Sequence, residues 1–354
     1  MSTNIVVLGG GTGTSTIARG LKMVPGFIVN LVVSVGDGGG SSGLLREAYN
    51  VIPPGDIGQG LEALSMCDKN VRELLRYRFS SGPLAGHTLG NLLLVGAMEK
   101  YGDPKTGIRV IQELFRVRGQ VIPVSSVPAT LIADLHDGTV LHGEEVIDDS
   151  PQSQRSPIRA CHLEDPDATA SFEAQEALRC ADVIFVGPGD LVTSLSAALL
   201  PLGIAAAIVQ NKHALLVYVM NMMTKRGQTQ DFTASKHLQV ASRYTGRRFD
   251  AVLLHDAERY PFPPEAIAHY AMAGEAPVKD DLKGQEVIRT DLLSSVFHQQ
   301  AAEDKVRRGL IGHDSRKLAE AILQLIANPP NRRPPTDHSA PPASPPTPPP
   351  ANVP

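Results

Sequence analysis

The stretch LVVSVGDGGGSSG, residues 31–43, joins an apolar, β-branched run to one carboxylate, a cluster of glycines and two serines. Comparable apolar runs occupy residues 5–8, 30–35, 182–187, 205–210, 214–220 and 249–255. Their apolarity is continuous rather than alternating, which is typical of strands that are covered on both faces, as in a parallel sheet. We therefore predict that these six runs are buried parallel strands.

Helical patterns lie between the apolar runs, at residues 15–23, 91–100, 106–116, 169–180 and 235–244. This alternation predicts an α/β fold, with a doubly wound, mostly parallel sheet and helices on both faces. Residues 120–165 differ, because short strand-like runs alternate there with turns at Asp137-Gly138 and His142-Gly143. We interpret this region as a small β excursion from the main sheet.

The C-terminal segment has a different composition from the rest of the chain. Residues 328–354 hold 12 of the 28 prolines and almost nothing apolar. Such a segment buries too little surface to offset its ordering entropy, so a disordered, Pro-rich tail is predicted. An inert tail and a ligand for an aromatic-lined partner groove are both open interpretations. Residues 1–327 are predicted to form one α/β domain.

The overall composition excludes several classes of protein. There are 33 basic and 37 acidic residues, so the net charge of −4 gives no general attraction to nucleic acid or to anionic membranes. Neither a membrane span nor a signal peptide is expected. The three cysteines form no disulfide framework, which fits the reducing cytoplasm. The spacing of His136, His142, Cys161 and His162 matches no zinc pattern.

Three glycine-rich loops follow predicted strands, at residues 9–21, 36–43 and 187–194. Glycine allows the backbone to approach a phosphate closely, and the N-terminus of the following helix offers free N–H groups and a partial positive charge. A single loop of this kind is explained equally well as a tight turn or as a phosphate-binding loop. The first loop also fits neither the P-loop nor the GxGxxG pattern. Three loops at strand ends favour a nucleotide or another phosphorylated ligand.

Polar residues in three further segments are candidates for the same site. Asp56 lies in a proline-glycine turn, and His87, Thr88 and Asn91 open an apolar helix. Thr88 or Asn91 is equally well explained as a helix cap, and a lone histidine such as His87 is more often structural. Residues 221–229 follow another predicted strand. The predicted ligand-binding residues are Gly10, Gly11, Thr12, Gly13, Thr14, Ser15, Asp37, Gly39, Gly40, Ser41, Ser42, Asp56, His87, Asn91, Gly187, Pro188, Gly189, Thr193, Ser194, Asn221 and Thr224.

Seven motifs in order resemble those of the YvcK/CofD-like family, and the resemblance runs from about residue 4 to about residue 325. The motifs are GGGTGTSTIARGLK, DGGGSSGLLR, PPGDI, LLRYRF, GHTLGNLLL, GPGDLVTS and MNMMTKRGQT. The sequences of these motifs are more similar to those of the YvcK branch, the gluconeogenesis factors. The resemblance implies a Rossmann-like fold with a nucleotide site across the loops, in a cytoplasmic protein.

The two branches imply different functions. YvcK proteins bind UDP-sugars and regulate cell shape and growth on gluconeogenic carbon, so the first interpretation is a nucleotide-sugar-binding regulator. CofD enzymes transfer a phospholactyl group from a guanosine-diphosphate-linked donor to a deazaflavin precursor with magnesium, which gives the alternative. In that alternative Asp37 is the candidate metal ligand, with Asp56 beside it. A homo-oligomer is also expected, and a dinucleotide-binding protein is a third, weaker option.

This chain departs from the family pattern at several of these motifs. Gly38 follows Asp37 where the family keeps a second acid, and we take this loss to favour binding over catalysis. Asp190 and Val192 replace a serine and a tyrosine, and Gln228 replaces a glutamate. Other departures are Gly58, Gln59, Arg226, Gln230 and Gly312. A divergent member of the family, with a ligand of its own, is therefore predicted.

Overall fold

The computed structural model describes residues 2–36, 39–149, 156–284, 286–296 and 309–330. Its main sheet has seven strands: β1 (Thr3–Gly9), β2 (Phe27–Val33), β3 (Gln120–Pro123), β7 (Val183–Val186), β8 (Leu215–Val219), β9 (Ala251–His255) and β10 (Glu286–Thr290). The strand order is β10-β9-β8-β7-β1-β2-β3, and every neighbouring pair is parallel. The predicted parallel sheet is thus confirmed. Asp37 and residues 331–354 of the predicted tail lie outside the described residues.

The central strands are buried because helices cover both faces of the sheet. All residues of β7, β8 and β9 are buried, as are the last five of β1. The helices are α1 (Gly11–Leu21), α2 (Gly40–Tyr49), α3 (Pro54–Leu64), α4 (Lys69–Arg76), α5 (Leu89–Tyr101), α6 (Pro104–Leu114), α7 (Glu144–Asp149), α8 (Phe172–Arg179), α9 (Ala197–Leu199), α10 (Ile204–Gln210), α11 (Ala234–Thr245), α12 (Pro264–Met272) and α13 (Ser315–Ala327). A π-helix, Leu191–Ser196, leads directly into α9.

A second, three-stranded antiparallel sheet confirms the predicted β excursion. It consists of β4 (Leu131–Leu135), β5 (Val140–His142) and β6 (Ile158–Leu163), in the order β5-β4-β6. The Asp137-Gly138 turn joins β4 to β5, with Gly138 at a φ of 90°. The excursion begins later than predicted, because residues 120–123 form β3 and pair with β2 in the main sheet.

The predicted strand at residues 205–210 is wrong, since these residues belong to helix α10. Three consecutive alanines follow Ile204 there, and alanine has the highest intrinsic helix propensity. The helix packs against α8 and α11 and buries Ile204, Ala207 and Ile208. A short apolar run of this kind cannot be assigned to strand or helix from periodicity alone.

Two further features bear on the sequence predictions. No helix in the part of the chain that the structure describes has the length and apolarity needed to cross a membrane. Cys67, Cys161 and Cys180 form no disulfide bond.

Candidate functional site

The chain changes direction across the sheet between β1 and β7. From β1 it continues through β2 to β3 on one side, and from β7 it continues through β8 and β9 to β10 on the other. In open α/β sheets, ligands bind outside the carboxyl ends of the strands at such a switch point. The loops after β1 and β7, which contain Gly10 and Gly187–Gly189, are therefore neighbours at this edge.

The first turn of α1 packs against the loop after β7 at a distance that only glycine permits. A Cβ atom on Gly13 would lie 1.9 Å from the carbonyl oxygen of Pro188. A Cβ atom on Gly189 would in turn lie 3.7 Å from the carbonyl oxygen of Gly10. The structure thus brings together two of the three loops that the sequence predicted as ligand loops. Gly13 is needed for this contact whether or not a ligand is bound.

The hydroxyl groups of α1 have different surroundings. Thr12 is exposed, and its Oγ1 lies 3.4 Å from Oε1 of Gln59 on α3. Thr14 is buried and donates a hydrogen bond to the carbonyl oxygen of Gly11 at 3.2 Å. Ser15 is also buried, and its Oγ has no hydrogen-bond partner within the described ranges. Of these three hydroxyls, that of Thr12 is the one exposed at the carboxyl edge.

The loop after β2 is tied to the first loop and to the start of α5. The backbone N–H of Ser34 donates to the carbonyl oxygen of Gly9 at 3.0 Å. Ser41 is in the first turn of α2, and its Oγ lies 2.8 Å from Nδ1 of His87. Helix α2 begins after Gly39, which has no side chain with which to cap it. The second loop, apart from Asp37 and Gly38, therefore joins the same edge.

Helix α3 brings Asp56 to the N-terminus of α1. A Cβ atom on Gly10 would lie 2.3 Å from Oδ2 of Asp56, so the carboxylate lies directly against the backbone there. A carboxylate at a helix N-terminus is favourable because of the helix dipole. Two residues further on, a Cβ atom on Gly58 would lie 2.9 Å from Oδ1 of Asn91. Asp56 and Asn91 are thus both placed beside the predicted ligand loops.

The start of α5 confirms the capping interpretation of Thr88. Its Oγ1 accepts a hydrogen bond from the backbone N–H of Asn91 at 3.2 Å. This bond satisfies one of the N–H groups that a helix N-terminus leaves without an intrahelical partner. The Asn91 side chain is not needed for that cap and faces Gly58 instead.

The loop after β8 holds Asn221 and Thr224, which have different surroundings. The Thr224 Oγ1 accepts a hydrogen bond from the Ala276 N–H at 3.0 Å, so it ties this loop to the segment after α12. The Oδ1 of Asn221 is buried and has no partner among the described residues. Nearby, His313 donates from Nε2 to the carbonyl oxygen of Met220 at 3.1 Å, and burial lowers the pKa of His313 to about 4. His313 is therefore neutral at pH 7.

Three charged residues that the sequence did not mark as site residues meet at this edge. Nζ of Lys225 lies 2.5 Å from Oδ2 of Asp190 and 2.8 Å from Oδ1 of Asp148. Burial disfavours the charged form of Lys225, but the two carboxylates outweigh it and raise its pKa above the ordinary value. Burial raises the pKa of Asp148, against the effect of Lys225. Nε2 of Gln228 also donates to Asp148 Oδ1, at 2.5 Å.

Helix α7 carries a second acid to the edge. Oε1 of Glu144 lies 2.5 Å from the position that a Cβ atom would take on Gly36, in the loop after β2. Glu144 and Asp148 are four residues apart, and this spacing places them on one face of a helix. That spacing is visible in the sequence, but the position of α7 beside the loops is a tertiary feature that the sequence pattern does not contain.

The magnesium predicted for the transferase alternative requires a set of oxygen ligands. Within the described ranges, no group of three or more histidine, cysteine, aspartate or glutamate side chains is placed to hold a metal ion. Of the two predicted candidates, Asp56 is described, and its carboxylate lies against Gly10. A magnesium site therefore stays a prediction of that alternative.

Comparison with known proteins identifies the family. A model of the family described as 2-phospho-L-lactate transferase CofD matches residues 5–296. This chain belongs to the CofD family. The predicted family resemblance is thereby confirmed.

Relatives of this CofD-family chain carry the name gluconeogenesis factor. The one from Halalkalibacterium halodurans is 38% identical over 323 residues, covering 91% of this chain and 96% of the relative. The gluconeogenesis factor of Bacillus subtilis is 33% identical, covering 91% of this chain and 98% of the relative. A crystal structure of a UPF0052 family protein from Bacillus halodurans has a TM-score of 0.82 and 37% identity, covering 91% of this chain and 99% of that one. The predicted YvcK branch and Rossmann-like fold agree with these matches.

Proposed function

We propose that this CofD-family chain is a gluconeogenesis factor that binds a UDP-sugar at the carboxyl edge of its sheet. In this role it regulates carbon use and cell shape during gluconeogenic growth, in the cytoplasm. The names of its relatives support the regulatory role. The predicted homo-oligomer and the predicted lack of nucleic-acid binding stay predictions.

The observation that carries the proposal is the contact between α1 and the Gly187–Gly189 loop at the switch point. The glycines at positions 10, 13 and 189 keep side chains away from this contact, so backbone groups line the edge. The N-terminus of α1 begins after Gly10, which offers no side-chain cap. Such a helix N-terminus attracts anions through its N–H groups and its dipole, and the diphosphate would share it with the Asp56 carboxylate, which lies against Gly10.

The second candidate function is the phospholactyl transferase, which the description of the matching family favours. The transferred group would pass from a guanosine-diphosphate-linked donor to a deazaflavin acceptor. Neutralising the diphosphate in such a transfer is ordinarily the task of a magnesium ion. The two functions differ in nucleotide base, in metal dependence and in turnover, so one set of titrations separates them.

The test is calorimetric titration of the full chain with UDP-N-acetylglucosamine, GDP, GTP and NADP, each with and without magnesium. We expect magnesium-independent binding of the uridine ligand and no turnover. Magnesium-dependent binding of GDP or GTP, together with consumption of a deazaflavin acceptor when the guanosine-diphosphate-linked phospholactyl donor is supplied, would establish the transferase instead. NADP as the preferred ligand would point to the dinucleotide-binding option.

A matched pair of variants locates the site. Asn221→Ala removes a buried Oδ1 that has no protein partner in the described part of the chain, so little native hydrogen bonding is lost. We expect the affinity for UDP-N-acetylglucosamine to fall about three- to tenfold, the usual value of one hydrogen bond. Asn70→Ala, on the exposed face of α4, is the control and should bind as the wild type does. Equal affinities in both variants would remove Asn221 from the site.

A further inference from the structure

Asp190 follows directly after Gly187–Gly189, so its negative charge lies beside the loop that the proposed function assigns to an anionic ligand. We propose that Lys225 is a specificity-determining residue of this site, which neutralises Asp190 and Asp148 so that the loop accepts a diphosphate. This inference rests on the proposed function. It concerns the charge that the ligand meets, and it does not require contact between Lys225 and the ligand.

The geometry of Asp190 supports this role. Asp190 is the N-cap residue of the π-helix Leu191–Ser196, a position at which an aspartate usually accepts hydrogen bonds from the first-turn N–H groups. Its side chain makes no such bond and instead reaches Nζ of Lys225 at 2.5 Å. The carboxylate is thus held by a lysine from the neighbouring loop, and the π-helix N-terminus keeps its N–H groups free of a side-chain cap.

The second carboxylate comes from α7 in the β excursion. Asp148 lies 2.8 Å from Nζ of Lys225 and also accepts from Gln228. Among the described residues, one lysine between these two carboxylates leaves one net negative charge, and loss of the lysine would leave two. An uncompensated Asp190 would therefore repel a diphosphate.

The same contacts also fasten α7 to the loops after β7 and β8. A purely structural role of these contacts and a charge-compensating role predict different ligand affinities when Lys225 and the charge of Asp190 are both removed. Lys225→Met alone leaves two negative charges and removes the ion pairs that connect α7 to the loops after β7 and β8. The double variant Lys225→Met with Asp190→Asn also lacks these ion pairs, but it restores the wild-type net charge of the cluster. Asp190→Asn alone makes the cluster neutral and weakens these contacts.

The experiment compares these three variants with the wild type in calorimetric titrations with UDP-N-acetylglucosamine and with inorganic pyrophosphate. We expect Lys225→Met to bind on the order of tenfold more weakly, the size expected for one extra charge near a dianion. The double variant should return to within about threefold of the wild type, and Asp190→Asn should bind at least as tightly as the wild type. The loss in Lys225→Met should shrink at high salt, because salt screens exposed charges.

Each result decides whether Lys225 has a charge-compensating role. A double variant as weak as Lys225→Met, or an Asp190→Asn variant weaker than the wild type, would overturn the charge-compensating role and leave the proposed function standing. If the wild type binds neither probe, the proposed function falls and this inference falls with it. Melting temperatures are measured in parallel. Should Lys225→Met fail to fold, Asp190→Asn still decides, because the two roles predict opposite changes in affinity for it.

Discussion

At Gly13, α1 and the loop after β7 are in close backbone contact. A side chain there would meet the carbonyl oxygen of Pro188 at 1.9 Å, and this is a backbone atom that cannot rotate away. The contact fixes the relative position of the two loops that form the switch-point edge. Substitution at this position therefore acts on stability first and on ligand binding through it.

We predict that Gly13→Ala lowers the free energy of unfolding by about 2 kcal/mol, because overpacking forces the backbone to shift. The matched control is Gly96→Ala, in the exposed interior of α5, where an added Cβ meets nothing within 4 Å. This control should raise stability by about 0.5–1 kcal/mol through helix propensity. Urea denaturation measures both. Equal stability of Gly13→Ala and the wild type would contradict the close contact.

At the residue scale, the sequence pattern placed the glycines in the loops at the strand ends but did not reveal the cluster of charged residues, and a ligand-binding role for these glycines stays a prediction. Glycine at a strand end is a local signal, and Gly10, Gly13 and Gly189 all lie where it placed them. Lys225 and Asp148 are 77 residues apart in the chain, and no spacing rule relates them. The departures Asp190 and Gln228 looked independent in the sequence, yet both lie in one network with these two residues.

At the scale of single elements, α4 and α6 differ at their N-termini. Asp103 accepts hydrogen bonds from the N–H groups of Lys105 and Thr106 and so caps α6. Asp68 has the equivalent position on α4 but makes no side-chain cap. The same residue type is thus stabilising at one helix and has no capping role at the other.

We predict that Asp103→Ala lowers the free energy of unfolding by about 1 kcal/mol, the usual cost of losing an N-cap. Asp68→Ala should change it by less than about 0.5 kcal/mol, since no capping bond is lost. Thermal melts of the two variants at one pH provide the measurement. A loss in Asp68→Ala as large as that in Asp103→Ala would show that general charge effects, rather than caps, determine the result.

The strands and helices that the sequence predicted best are those with long, uniform patterns. Strands β1, β2, β7, β8 and β9 all lie within or next to the predicted runs. Helix α10 was predicted as a strand because a run of six apolar residues, 204–209, is compatible with either strand or helix. Strand β10 was not predicted, because its sequence EVIRT is short, partly exposed and at the edge of the sheet.

At the scale of the whole molecule, three buried or half-buried histidines contribute to the response to mild acid. Burial lowers the pKa values of His237, His255 and His313 below the ordinary value of 6.5. Between the folded and the unfolded pKa, the unfolded chain binds more protons than the folded one. The stability that neutral histidines contribute is therefore complete above pH 6.5 and is lost as the pH falls toward 4.

We predict that the urea midpoint falls steadily from pH 7 to pH 4.5, with His313 contributing up to about 1.4 kcal/mol per pH unit. His313→Gln keeps a donor for the carbonyl oxygen of Met220 but cannot titrate. Its stability should therefore depend less steeply on pH over this range. Identical slopes for the variant and the wild type would exclude His313 as a source of the acid sensitivity.

The contact between helices α1 and α13 has a consequence for synthesis on the ribosome. Helix α13 packs on α1, and a Cβ atom on Gly20 would lie 2.2 Å from the carbonyl oxygen of Ser315. The central strand β1 likewise cannot pair with β7 until β7 has been synthesised, about 180 residues later. The N-terminal part of the nascent chain thus stays incomplete until residues 315–327 have been translated. Such a chain depends on late, non-local contacts, which makes it a natural client for chaperones during translation.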